Sequence, residues 1–184
     1  MGLLTRIERK LQYIDKILAV GAEENTGESI WKPIPNSPQE LAYHSPADEL
    51  LFGGQAGGGK SALLIGLALT QHKRTLILRK RLSDLTSIVE QIRELTHATG
   101  TLSIRFEDRL IEFGGCKDSA SKYKYKGRAH DAKFFDELSE FNEEEYEFIC
   151  AWNRTAEPGQ RCRIVSTTNP PDTTEGLWIV QRWA

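Results

Sequence analysis

The sequence has few of the features that mark secreted, membrane-spanning or zinc-binding proteins. Its three cysteines, Cys116, Cys150 and Cys162, form no CxxC pair and have no histidine at a zinc-ligand spacing. We therefore expect free thiols in a reducing compartment. The N-terminus mixes charged residues among its apolar ones, unlike a signal peptide. The longest apolar run, near residues 62–69, is far shorter than the roughly 20 residues of a membrane span. These absences predict a cytosolic protein with no membrane partner.

Neither sign of charge predominates, since the 184 residues carry a net charge of only −2. Any contact with nucleic acid must therefore come from a local patch. One basic stretch is interleaved with Tyr123 and Tyr125, and its cationic residues are Lys117, Lys122, Lys124, Lys126, Arg128 and Lys133. This stretch fits a surface that grips a phosphate backbone, and it fits equally well a solvated loop beside a nucleotide site.

The chain divides into a short N-terminal segment and one larger domain. Apolar residues recur every three or four positions through residues 1–20, which predicts an amphipathic helix that packs back on the core or docks on a partner. Polar and proline-rich residues follow as an extended linker, so we separate residues 1–30 from a domain at 31–184.

Strand and helix patterns alternate along the larger domain. Strands are predicted at 50–52, 75–78, 132–135 and 163–166, helices at 59–69, 82–96 and 143–152, and a hairpin at 103–113. This alternation predicts an α/β fold with a mostly parallel sheet flanked by helices.

The segment between the first strand and its helix is rich in glycine. It satisfies the pattern G-x-x-x-x-G-K-[ST] with Gly54, Gln55, Ala56, Gly57, Gly58, Gly59, Lys60 and Ser61. Glycine lets backbone N–H groups converge on a phosphate, and the following helix presents its positive end to the same anion. Lys60 would reach the β- and γ-phosphates and Ser61 would ligate Mg²⁺. The pattern predicts a P-loop NTPase.

A second strand, at 132–135, ends in the acidic pair Asp136 and Glu137. Asp136 is predicted to hold Mg²⁺, and Glu137 to orient or deprotonate the attacking water, which favours hydrolysis over transfer to a small acceptor. Alone, such a pair is at least as often a helix cap. A further strand ends at Thr168 and Asn169, where a polar side chain could sense the γ-phosphate or simply begin a loop.

The order of these motifs resembles a known family. A Gln-bearing segment (NSPQ), FGGQAGGGKS, LILRKRLSDL, YKGRAHDAKFFDELSEF, STTNPP and a tryptophan-rich tail follow one another over about residues 30–184. This order is similar to that of the ATPase domain of the large terminase subunit of tailed bacteriophages. The resemblance implies a RecA-like ATPase of the additional-strand, catalytic-glutamate class, using ATP and Mg²⁺ to drive double-stranded DNA into a procapsid in the host cytoplasm. It also implies a ring of subunits, and the portal and the small terminase subunit as partners.

The same resemblance implies roles for individual residues. Gln39 would read the adenine edge, and Thr168 and Asn169 would match the motif that couples γ-phosphate status to DNA movement. Arg79 matches a basic residue of the family whose task is less defined.

The sequence departs from the family at the arginines. Many terminases carry an arginine inside the phosphate loop, where this chain has Gln55, and another where this chain has Lys126. Lysine lacks the planar fork that suits a γ-phosphate oxyanion. Arg128, two residues later, is our candidate for the arginine finger that acts on a neighbouring subunit.

A full large terminase continues into a nuclease domain, so we expect no nuclease activity from this chain. Two other functions stay open. A helicase or recombination-type ATPase would unwind DNA or respond to single strands, and a nucleotide-binding ring-assembly module would show little turnover.

Overall fold

The computed structural model describes residues 29–55, 57–171 and 174–183. The predicted N-terminal helix and residues 21–28 of the linker lie outside the described residues, as does Ala56 of the phosphate loop. The described residues form a six-stranded sheet in the order β1-β6-β5-β2-β4-β3. Its strands are β1 Glu49–Gly53, β2 Arg74–Arg79, β3 Ser103–Phe106, β4 Arg109–Gly115, β5 Ala132–Phe135 and β6 Arg163–Thr168. Neighbouring strands are parallel except β3, which is antiparallel to β4.

Helices cover both faces of this sheet. The α-helices are α1 Pro38–Tyr43, α2 Lys60–Thr70, α3 Thr86–Thr96, α4 Glu143–Cys150 and α5 Leu177–Trp183. Short 3₁₀ helices lie at Leu82–Leu85, Ser119–Tyr125, Leu138–Glu140 and Thr174–Gly176. No helix in the described ranges is long and apolar enough to cross a membrane.

The predicted strands and hairpin are confirmed, and four of the α-helices differ from the prediction. The helix predicted at 82–96 begins as a 3₁₀ turn and becomes α-helical at Thr86, and the helix predicted at 143–152 ends at Cys150. Helix α5 was not predicted, and neither was helix α1. Helix α1 forms because the Ser37 side chain accepts a hydrogen bond from the N–H of Glu40 while Pro38 occupies the first turn, where a missing N–H costs nothing.

The core consists of two apolar clusters, one on each face of the sheet. Leu63, Leu67 and Ile77 belong to the cluster under α2 and α3, whereas Leu78 and Tyr146 belong to the cluster under α4 and α5. Successive strand residues point to opposite faces, so a strand buried on both faces is mostly apolar, as the centre of β2 is; β5 is buried on both faces too but includes the charged Lys133.

Buried charges also lie at the amino ends of the strands. The side chain of Arg163, at the start of β6, is fully buried and donates hydrogen bonds to the carbonyl oxygens of Ala47 (3.2 Å), Tyr43 (3.3 Å) and Ala42 (2.9 Å). Burial lowers the pKa of this guanidinium to about 10. Arg163 thereby fastens the last turn of α1 to the sheet.

Asp131, just before β5, is a second buried charge at this end. Its carboxylate accepts hydrogen bonds from the N–H groups of Lys73 (3.0 Å) and Arg74 (2.8 Å) and contacts Nδ1 of the buried His72 at 3.1 Å. Asp131 thus joins the start of β5 to the start of β2.

Candidate active site

The carboxyl ends of β1, β5 and β6 meet at one edge of the sheet. Gly53 of β1 is paired with Thr168 of β6, and Phe135 of β5 with Ser166 of the same strand. The glycine-rich loop, the acidic pair and Asn169 therefore leave the sheet side by side. The topology brings together the predicted site residues Lys60, Ser61, Asp136, Glu137, Thr168 and Asn169.

Glycine is required at two positions of the loop. Gly57 (φ 84°) and Gly59 (φ 74°) adopt the left-handed conformation that side chains disfavour. At Gly59 a Cβ atom would also lie 2.6 Å from Nε2 of Gln39. Helix α2 begins directly after Gly59, with no side-chain cap on its first N–H groups. A glycine-rich loop that leads into an uncapped helix of 11 residues has the backbone geometry of a phosphate site.

The ammonium group of Lys60 lies inside this loop and is largely buried. Nζ donates to the carbonyl oxygens of Gly54 (2.9 Å) and Gln55 (3.0 Å) and to Oδ1 of Asn169 (2.7 Å). All of these acceptors are neutral, so the positive charge is not cancelled by any of them. It is available to an anion bound in the loop.

Asp136 is buried beside the loop and shares its carboxylate among several partners. Oδ1 accepts from the hydroxyl of Thr167 (2.9 Å) and, at 3.4 Å, from that of Ser61. Oδ2 lies 3.5 Å from Nε of Arg79, and this buried nitrogen makes no hydrogen bond within the described part of the chain. The hydroxyl of Ser61 and the carboxylate of Asp136 together form an oxygen donor set that fits Mg²⁺. The cation of Arg79 balances the charge of that carboxylate.

Glu137 is held in an unusual backbone conformation. Its φ of 53° and ψ of 63° are left-handed, which costs a non-glycine residue on the order of 1–3 kcal/mol. Its carboxylate accepts hydrogen bonds from the backbone N–H and the Nδ2 of Asn169, all at 3.3 Å. Asn169 therefore connects the phosphate-loop lysine, Lys60, to the predicted catalytic carboxylate.

Thr168 fixes the turn that follows Glu137. Its hydroxyl oxygen accepts a hydrogen bond from the N–H of Ser139 (3.3 Å), and its carbonyl oxygen accepts from Gly54 N–H (3.2 Å). The end of β6 thus contacts both the phosphate loop and the segment after the acidic pair.

Glu140 lies in that same turn. Burial raises the pKa of this carboxyl, the nearby Arg79 lowers it, and the carboxylates of Asp84, Glu137 and Asp136 raise it further. The edge of the sheet is therefore rich in negative charge around Arg79.

Gln39 reaches the loop from α1. Its Nε2 donates to the carbonyl oxygen of Gly59 (2.9 Å), and its Oε1 accepts from the N–H of Ile34 (2.9 Å). The amide is buried, and these contacts position the end of the loop. The contact of Gln39 with adenine stays a prediction.

The basic stretch 117–133 contains both buried and exposed cations in the structure. Lys122 is buried and pairs with Glu144 at 2.5 Å. Lys133 is buried as well, and burial lowers its pKa to about 8. Arg128 is 44% exposed and pairs with Glu112 of β4. Among the described residues no hydrogen bond or ion pair joins Arg128 to the phosphate loop, and its role as a finger stays a prediction.

Two contacts of the site were not expected from the sequence. Thr167 and Arg79 both reach Asp136, and each comes from a strand adjacent to β5. The only signal was a run of hydroxyl residues at the end of β6 and a basic residue at the end of β2. Neither pattern identifies its partner, because the contact depends on the order of the strands.

The fold is similar to that of several solved proteins. The large terminase of a thermophilic bacteriophage is 17% identical, with a TM-score of 0.54 over 74% of this chain and 36% of that one. The large terminase of bacteriophage HK97 is 11% identical, with a TM-score of 0.58 over 83% and 37%. The chain shares its fold with phage large terminases. The predicted fold class, an α/β fold with a mostly parallel sheet flanked by helices, is thereby confirmed.

A further structure, that of the same thermophilic phage's large terminase in complex with ATP-γ-S, is 13% identical, with a TM-score of 0.50 over 74% of this chain and 35% of that one. The chain therefore spans little more than a third of the length of these terminases. No family model and no curated protein sequence matches it. Within the described ranges, no group of three or more His, Cys, Asp or Glu side chains is arranged to hold a metal ion.

Proposed function

We propose that this chain is the ATP-hydrolysing part of a phage DNA-packaging motor. The contact set of Asn169, which joins Lys60 to Glu137, is the observation that carries the proposal. It connects the group that would bind the γ-phosphate to the group that would activate water. The terminase fold supports the same function, and one protein with that fold was solved with ATP-γ-S bound.

The residues of the site divide the chemistry among them. The loop N–H groups and Lys60 would bind the phosphates of ATP. Ser61 and Asp136 would hold Mg²⁺, which when bound neutralises charge on the phosphates. Glu137 would accept the proton of the attacking water. The two N–H donors of Asn169 hold its carboxylate in place.

Binding of ATP would change the contacts of Asn169. A γ-phosphate attracts the ammonium of Lys60, and the neutral Oδ1 of Asn169 competes poorly with it. Asn169 would then shift relative to Glu137, and Thr168 would carry the change to the turn at Ser139. This is how we propose that the state of the nucleotide reaches the rest of the domain.

The motor would act on double-stranded DNA in the host cytoplasm. It would work as a ring of subunits, with the portal and the small terminase subunit as partners. Arg128 would act on the neighbour's ATP after leaving Glu112. An arginine supplied by a neighbour is worth roughly 10³–10⁵ in rate, so turnover would require assembly.

Steady-state ATP hydrolysis across a protein concentration series tests the proposal. We expect turnover per subunit to rise with concentration. Glu137→Gln should reduce it at least about 10²-fold, because the variant lacks the base. Arg128→Ala should abolish the rise, with Arg105→Ala, another exposed arginine, as the matched control.

Two results would contradict the proposal. Tight ATP binding with no turnover at any concentration, in the wild type as in Glu137→Gln, would favour an assembly module. Turnover stimulated by single strands together with duplex unwinding would favour a helicase.

A further inference from the structure

A basic cleft lies next to the candidate active site, where β2 and β4 end. Its volume is about 550 Å³, and its cationic lining residues are Lys80, Arg81, Lys117 and Lys124. We infer that this cleft binds the phosphate backbone of duplex DNA. The choice of DNA rests on the proposed function, whereas the cleft and its charge are independent of it.

The positive charge of the cleft is only partly neutralised. Lys80 donates to both carboxylate oxygens of the buried Glu145, at 2.9 and 2.7 Å. Arg81, Lys117 and Lys124 are exposed and form no ion pair within 4 Å among the described residues.

Asp118 lies outside the lining of the cleft, and its charge offsets part of that of the adjacent Lys117. The carboxylate of Asp118, beside Lys117, accepts the N–H and the hydroxyl of Ser121, both at 2.9 Å. No carboxylate lines the cleft itself among the residues described there. A chain of net charge −2 thus concentrates three unpaired cations around one opening.

The lining favours a backbone contact over a contact with bases. Lysine and arginine at separate positions along a cleft neutralise successive phosphates, and such contacts position a duplex without reading its sequence. Single strands are usually held by aromatic rings on which their bases stack. No aromatic side chain lines the cleft in the described part of the chain.

Glycine shapes the floor of the cleft. A Cβ atom at Gly115 would lie 2.7 Å from the backbone nitrogen of Leu82. The end of β4 therefore approaches the 3₁₀ turn after β2 as closely as bare backbone allows. This approach places Lys117 next to Arg81 around one opening.

The cleft is also connected to the candidate active site through the chain. Arg79, which lies 3.5 Å from Asp136, is followed directly by Lys80 and Arg81 of the cleft. A change in the contacts of Arg79 would therefore be passed to the wall of the cleft within two residues. That proximity distinguishes this basic surface from exposed cations elsewhere on the domain.

Fluorescence anisotropy with a labelled duplex of about 30 base pairs tests the inference. The variant Lys117→Ala/Lys124→Ala should bind at least tenfold more weakly. The slope of log affinity against log salt is negative, and it should become less steep by about 2, because each lysine neutralises about one phosphate. The control Arg93→Ala/Arg105→Ala removes the same charge from exposed residues outside the cleft and should keep the wild-type slope.

Four outcomes would overturn the inference: no measurable binding of the duplex by the wild-type chain, equal losses in both double variants, no loss in the cleft variant, or tighter binding of a single strand of the same length. ATP hydrolysis without DNA is measured beside each variant and should match the wild type. If the wild type binds the duplex through the cleft but hydrolyses no ATP, the proposed function fails and the inference stands.

Discussion

The two ends of the parallel strands both hold buried charges, yet their partners differ in kind. At the amino ends, the hydrogen bonds that Arg163 donates within the described chain go to backbone carbonyl groups, and Asp131 contacts two backbone N–H groups and one histidine. At the carboxyl ends, Asp136 contacts side chains, and Lys60 is held partly by the side chain of Asn169. Backbone partners stay in place, whereas side-chain partners can be exchanged for a ligand. Burial of a charge therefore does not by itself mark a functional site; the kind of partner does.

The largest effect is expected when a buried charge at the amino ends is removed, because the fold should then lose stability. Asp131→Ala removes the acceptor of two N–H groups and leaves His72 buried without its partner. We expect the free energy of unfolding to fall by about 3–5 kcal/mol, and the melting temperature by about 10 °C. Turnover of the folded fraction should be unchanged. Thermal unfolding followed by circular dichroism measures this.

Asp108→Ala is the control for that variant. Asp108 is an exposed aspartate that pairs with Lys73 at the surface, and its loss should leave the melting temperature almost unchanged. A melting temperature of Asp131→Ala equal to that of the wild type would mean that this buried charge is dispensable, and the contrast between the two ends would fail.

The opposite result is expected at the carboxyl ends. Asn169→Ala should lower the rate of ATP hydrolysis about 10²-fold, because a misplaced Glu137 no longer holds the attacking water. The melting temperature should stay close to that of the wild type. Asn153→Ala is the control, since the side-chain oxygen of Asn153 is buried without a hydrogen-bond partner in the described structure. A stability loss with full activity would show that Asn169 belongs with the structural contacts.

The smallest effect concerns Glu112 in the middle of β4, which pairs with His130 and Arg128. The hydrogen bond from His130 lowers the pKa of Glu112 to about 2, with the charges of His130 and Arg128 adding to it. Since the folded pKa lies below the unfolded value, near 4.5, Glu112 stabilises the fold above that value. This stability is lost as the pH falls toward 2.

The variant Glu112→Gln isolates this contribution. We expect the free energy of unfolding of the wild type to exceed that of the variant by on the order of 1–2 kcal/mol at about pH 5.5. The difference should shrink at about pH 3.5. Urea unfolding at both pH values measures it. A difference that grows in acid would have the wrong sign for a lowered carboxyl pKa.

The sequence predicted those parts of the molecule that depend on local pattern. The centre of β2 is apolar because both faces of the sheet are covered, and the loop before Lys60 is glycine-rich because its backbone must turn left-handed. Helix α1 was missed because proline at its first turn resembles a linker. The contacts of Thr167 and Arg79 with Asp136 depend on which strands are neighbours, and local periodicity does not encode strand order.

The packing of Trp31 has an optical consequence. A Cβ atom at Gly66 of α2 would lie only 2.2 Å from the Trp31 ring, so the indole rests directly on the helix that begins at the phosphate loop. The other tryptophans lie elsewhere: Trp178 and Trp183 pack on Tyr146, and Trp152 stacks with Arg154. With those three replaced by phenylalanine, the fluorescence of Trp31 would report movement of the helix that carries Lys60. The domain thus contains an intrinsic probe of its own nucleotide loop.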